Sequence, residues 1–185
     1  MKESLRDKTR DDLVAILNLI GVRSELSERG AVEEEVENSW YQRSLGRIDI
    51  HEGQIRWINI LKKDGSQHSP PKWWIVMGIP DDRLSSNQPK IKIKTIRKKT
   101  FPLFGKVVDV VWSGEDGGTA LVKTLSSDED IKVLAKDVGN LEIKSQSDSF
   151  NGWTLTLDRR LTPSIKDWNS FEKIAGYILS SPRRL

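Results

Sequence analysis

The stretch from Lys72 to Ile79, Lys-Trp-Trp-Ile-Val-Met-Gly-Ile, constrains this chain more than any other. Successive side chains of a strand point to opposite faces, so Trp73, Ile75, Met77 and Ile79 share one side while Trp74 and Val76 share the other. Apolar residues on both sides predict an internal strand of a sheet whose two faces are covered. Further β patterns surround it: Ile48–Ile50 and Gln54–Leu61 about a His51-Glu52-Gly53 turn, then Ile91–Arg97, Lys106–Trp112, Thr119–Leu125, Leu141–Ser145 and Trp153–Leu157. Phe101-Pro102-Leu103-Phe104-Gly105 separates two of them, because Pro and Gly interrupt a ladder.

Helical periodicity frames this β-rich body of residues 40–160. Leu13, Ile16, Leu17 and Ile20 predict a helix over 4–20, with Ser4 and Asp7 as cap and third-position acid and Gly21 as the stop. Trp168, Phe171, Ala175, Ile178 and Leu179 form one stripe that predicts a second helix over 164–180. Ser127 before Asp128, Glu129 and Asp130 predicts a short helix near 128–137. Residues 24–40 fit helix and strand equally, with a lean toward strand near Trp40. Strands in succession with helices at the ends predict an α+β fold, a twisted and mostly antiparallel sheet of about seven to nine strands, rather than a parallel βαβ arrangement. Its 185 residues fit a single domain, 1–185.

The chain contains no cysteine, which removes disulfide frameworks, thiolate catalysis and zinc ribbons, and fits a reducing, cytoplasmic setting. The longest early apolar run, Leu13 to Val22, is about ten residues interrupted by Asn18 and is expected to be neither a signal peptide nor a membrane span. With two histidines, 17 positions apart, no His-rich metal site is expected, and no cofactor motif is present: neither a Walker loop, a G-x-G-x-x-G nor a G-x-S-x-G elbow. Nothing in the sequence indicates a homo-oligomer.

Charge is unevenly distributed. Six basic residues face ten acidic ones over 1–40, fourteen face five over 41–106, and ten face twelve over 107–185, for a formal net charge of +3. The basic excess peaks at Lys90-Ile91-Lys92-Ile93-Lys94-Thr95-Ile96-Arg97-Lys98-Lys99, where Lys90, Lys92 and Lys94 share one strand face. Ammonium groups about 7 Å apart suit an acidic protein or a polyanion, which makes Lys90, Lys92, Lys94, Arg97, Lys98 and Lys99 candidate contacts. The competing reading is an edge strand whose lysines block edge-to-edge association.

Two further constellations bear on function. Trp57, Trp73, Trp74, Trp112 and Trp153 all fall in expected strands, where they either fill a core or line a concavity for an apolar small ligand. Glu142-Ile143-Lys144 puts a carboxylate and an ammonium on one strand face, as metal-dependent nucleases require, with Asp109 or Asp116 as the upstream acid. Composition alone would yield about 2.5 acid-x-Lys triplets, and two occur, so this signal stands at background. Asp109 lies among four valines, where burial would raise its pKa. The expectation is therefore a non-catalytic binding domain that meets an anionic partner through residues 90–99, with the apolar pocket and the hydrolase as alternatives.

Overall fold

A computed structural model describes residues 7–100 and 106–182. Eight strands form one sheet: β1 (Ser24–Leu26), β2 (Arg43–Ile50), β3 (Trp57–Lys63), β4 (Lys72–Pro80), β5 (Lys92–Lys99), β6 (Val107–Glu115), β7 (Leu141–Gln146) and β8 (Gly152–Leu157). Every pairing is antiparallel, in the order β1-β2-β3-β4-β8-β7-β5-β6. The sheet is twisted and open, with helices α1 (Thr9–Leu19), α2 (Leu121–Ser127), α3 (Glu129–Val138) and α4 (Ile165–Ser180), an α+β fold as the strand and helix patterns predict.

The helices cover one face, here the back. Leu13 and Leu17 of α1, Leu121 and Leu125 of α2, Ile131 and Leu134 of α3, and Phe171, Ile174 and Ile178 of α4 join Ile58, Ile60, Ile75, Met77, Ile79, Ile143 and Leu155 in a continuous core. Full burial of each such side chain contributes about 1.5–3 kcal/mol, so the spaced apolar positions of the end helices fix which way they lie. Ser164 starts α4 through a reciprocal capping box with Asp167. Glu172 of the same helix accepts hydrogen bonds from the backbone N–H groups of Gln54 and Ile55 and so pins the β2–β3 connection.

The front face is half covered. A strap of residues 27–42, including a 3-10 turn at Val32–Glu35, crosses β2, β3 and β4 and packs Val36 against Trp57, Leu61 and Val76. Asn59 of β3 is fully buried beneath it and donates to the Glu33 and Glu34 carbonyls. Trp57 lies flat on Gly78 of β4, where any Cβ would fall inside the indole ring, which explains the glycine in an otherwise apolar strand.

Several local expectations are corrected. Thr119–Leu125 is not a strand: Asp116 accepts from the N–H groups of Gly118 and Val122 and turns the chain into α2, whose Leu121 and Leu125 are buried one helical turn apart. Asp128, not Ser127, caps α3 through the N–H groups of Asp130 and Ile131. The region before Trp40 forms the strap rather than a strand, and Trp40 is 95% exposed. Helix α1 begins at Thr9; the rest of its expected start, Ser4 included, and the Phe101–Gly105 break lie outside the described residues. Strand β5 sits between β7 and β6, so it is not the sheet edge that the aggregation-blocking reading requires. No helix among the described residues is long and apolar enough to cross a membrane.

Candidate functional site, the open half of the sheet

Beyond the strap, the front face of β4, β8, β7, β5 and β6 remains uncovered by helix, and the strand register defines what it displays. One row past the last paired residues, Trp74, Asp158, Asn140 and Ile96 line the surface together, with Asn140 donating to the Asp158 carboxylate. In the next row Val76 faces Thr156, then Glu142, then Lys94 and Ser113; beyond that come Gly78, Thr154, Lys144, Lys92 and Glu115. Neighbours within a row are about 4.8 Å apart. The first two rows enclose a groove of about 510 Å³ lined by Trp74, Lys94, Ile96, Asn140, Glu142, Thr156 and Asp158.

Most charges on this surface are already paired. Glu142 accepts from Lys144 at 2.9 Å and from Lys92 at 3.1 Å, and Lys144 also reaches Glu37 of the strap at 2.5 Å. Burial raises the Glu142 pKa, but the two ammonium groups outweigh it and hold the carboxyl below the usual range. Burial likewise works against charge on Lys144, while Glu37 and Glu142 reverse that and raise its pKa. Both groups therefore stay ionised through neutrality, far from the poise that proton transfer near pH 7 asks of a general acid or base.

The basic strand divides in the same way. Lys90 pairs with Asp148, Lys92 with Glu142 and Lys98 with Asp109. Arg97 turns to the back, where its Nη2 donates to the Lys136 carbonyl at 2.5 Å near the end of α3, which takes it out of the front-face set. Lys94 and Lys99 are exposed and have no carboxylate partner among the described residues. Lys94 alone of these lines the groove.

The other candidates do not converge. Asp109 pairs with Lys98, four residues along β5 from the position opposite Glu142, a separation of about 13 Å along the strand alone. Its pKa is lowered, not raised: desolvation is outweighed by the Val110 N–H and the Lys98 ammonium. Asp116 is committed to the start of α2. No group of three or more potential metal-ligating His, Cys, Asp or Glu side chains occurs among the described residues. The five tryptophans split between the faces, Trp57 and Trp74 in front and Trp73, Trp112 and Trp153 behind, so they do not wall a single concavity. Trp57, Trp112 and Trp153 are filled into cores at 4%, 4% and 3% exposure.

Sequence reading missed Glu37, Trp40 and Tyr41. Glu37 has a left-handed backbone, φ +60°, uncommon for a residue with a side chain. Trp40 and Tyr41 meet edge to face with ring centroids 5.6 Å apart, and the Lys63 ammonium lies 5.4 Å from the Tyr41 centroid. The sequence signal for this cluster is weak, because Trp40 also fits the helical spacing of Val32 and Val36 and a period-2 strand, both of which imply burial. No protein-family model, no curated protein and no solved structure matches this chain.

Proposed function

We propose that this protein is a non-catalytic binding module whose recognition surface is the open half of the sheet, and that it holds an anionic chain through Lys94. The observation that carries the reading is the position of this one lysine: exposed, lining the groove, and without an ion-pair partner among the described residues, since the adjacent Glu142 is taken by Lys92 and Lys144. The neighbouring Lys92 and Lys144 lend positive potential but are shared with Glu142 and Glu37, so they act as second partners rather than primary contacts. An acidic protein surface would meet the same lysines, but a flexible polyanion reaches into a groove that a folded surface bridges.

Inorganic polyphosphate is the direct probe. Binding should weaken with rising salt, since each neutralised phosphate releases condensed counterions. Lys94→Gln should lower affinity several-fold and flatten the salt dependence, while thermal stability stays unchanged because an exposed lysine contributes little to folding. Wild-type affinity in Lys94→Gln, or no polyphosphate binding at low salt, would remove the reading; binding only to an acidic protein would replace it.

A further inference from the structure

The charges that remain free on this side of the molecule extend beyond the groove. Lys63 of β3 and Lys72 of β4 are opposite one another in the ladder and share the front face with Trp74 and Leu61. Neither has a carboxylate partner among the described residues, although the adjacent Arg43 and Lys62 pair with Asp64 and Asp7. From Lys63 to Lys94 the path crosses four strand spacings, about 19 Å, and runs four residues along the strands, about 13 Å, a separation of roughly 23 Å.

Aromatic rings flank the same path. Tyr41 lies against Lys63, and Trp40 stands beyond it. Trp74 is half-buried next to Lys72 and forms one wall of the groove. A tryptophan at 95% exposure contributes little to the fold, since its ring contact is an edge-to-face meeting with Tyr41, itself 45% exposed. Accessible rings flanking lysines that have no carboxylate partner among the described residues match a chain that carries both phosphates and flat faces.

We infer that the open sheet face binds single-stranded nucleic acid, with the backbone phosphates following Lys63, Lys72 and Lys94 and unpaired bases stacking on Trp40, Tyr41 and the free part of Trp74. This rests on the anionic-chain reading above and names the chain. Polyphosphate satisfies the lysines but leaves the rings in water. A duplex buries its base faces, so it too offers the rings nothing. Single strands meet both features, and stacking on an aromatic side chain tolerates any base, which suits a surface without an array of base-edge readers. Of the acidic groups on the path, Glu142 is neutralised by Lys92 and Lys144, and Asp158 accepts hydrogen bonds from the Asn140 amide and N–H.

The test compares a fluorescently labelled oligothymidylate with polyphosphate on the full chain. Expected is tighter binding of the oligonucleotide than of polyphosphate at equal charge, with a log–log salt slope near −2, about −0.7 for each of three phosphate contacts. Trp40→Ala should weaken oligothymidylate binding by about fivefold to a hundredfold, the range for loss of one stacked base, and leave polyphosphate binding and thermal stability unchanged. Lys63→Gln with Lys72→Gln should weaken both ligands. If Trp40→Ala and Tyr41→Ala both bind oligothymidylate like the parent while Lys94→Gln still weakens polyphosphate, the nucleic-acid inference fails and the anionic-chain reading stands. If Lys94→Gln affects neither ligand, both fail. Equal or tighter binding of a duplex of the same length, or Trp40-dependent binding to anionic lipid vesicles without oligonucleotide binding, would also overturn it.

Discussion

Glu37 and Lys144 lie 107 positions apart in the chain and 2.5 Å apart in space. The contact ties the tip of the strap to the central strand β7 and marks where the covered half of the front face ends. Gln146 donates to the same carboxylate, so a residue in a strained backbone conformation is held by two side chains from one strand.

That strain makes a measurable difference between two substitutions. Glu37→Ala and Glu37→Gly both lose the contacts to Lys144 and Gln146, but only alanine keeps a Cβ in the left-handed region, at a cost of about 1 kcal/mol. The glycine variant should be the more stable of the two by about that amount in urea denaturation. Equal midpoints would mean that the strap relaxes freely once the carboxylate is gone.

Behind the sheet, the Trp153 indole N–H donates to Asp81 at 3.0 Å, and Asp81, 5% exposed, also binds Arg83 through both carboxylate oxygens. Arg83 in turn donates to the Leu179 carbonyl near the end of α4. Trp153→Phe keeps apolar bulk but withdraws the donor from a buried carboxylate, which should cost about 1–3 kcal/mol. Calorimetry on Trp153→Phe would measure this, and a neutral result would show that Asp81 is satisfied without the indole.

The outer edge of the sheet is β6, and two of its N–H groups are already occupied: Val110 donates to the Asp109 carboxylate and Trp112 to the Ser126 hydroxyl, both at 2.9 Å. An edge whose donors are satisfied internally offers less to a second chain. Asp109→Ala combined with Ser126→Ala should fold and then self-associate in proportion to concentration. Light scattering would detect it; a monomer at high concentration would show that other features guard this edge.

Acid sensitivity should trace in part to Asp7. Burial works to raise its pKa, but hydrogen bonds from the Lys62 ammonium and from the Thr9 hydroxyl and N–H outweigh it and hold the carboxyl at about 2. The unfolded chain takes up this proton near the ordinary carboxylate pKa, before the folded chain does. Stability from this group is therefore complete above about pH 4 and is lost as pH falls toward 2, by roughly 1–2 kcal/mol after allowance for solvent screening. Asp7→Asn should be less stable than the parent at neutral pH, and the difference should shrink across that window; a constant difference from pH 5 to 2 would remove Asp7 from the account.

Periodicity in the chain was sufficient for much of the architecture. Alternation in Lys72–Ile79 specified a strand covered on both faces, and the stripe from Trp168 to Ile178 specified the helix that buries Phe171, because each pattern is enforced by the residue's own neighbours. Local patterns failed where a distant group or a competing hydrogen bond decided. Leu121 and Leu125 satisfy either period until Asp116 caps the turn before them, and the path of the strap depends on distant groups: Asn59 of β3, which donates to the Glu33 and Glu34 carbonyls, and Lys144 of β7, which pairs with Glu37. The candidate surface follows the same division. A run of lysines is visible in the sequence, but which of them stay free depends on Glu142, Asp148 and Asp109, brought alongside by strand order and loop closure. Trp40 next to Tyr41 is visible too, but only the folded sheet brings Tyr41 against Lys63 and leaves Trp40 in water. Sequence spacing determines the faces of each element, while ion pairing and exposure depend on the register between elements, which non-local packing alone selects.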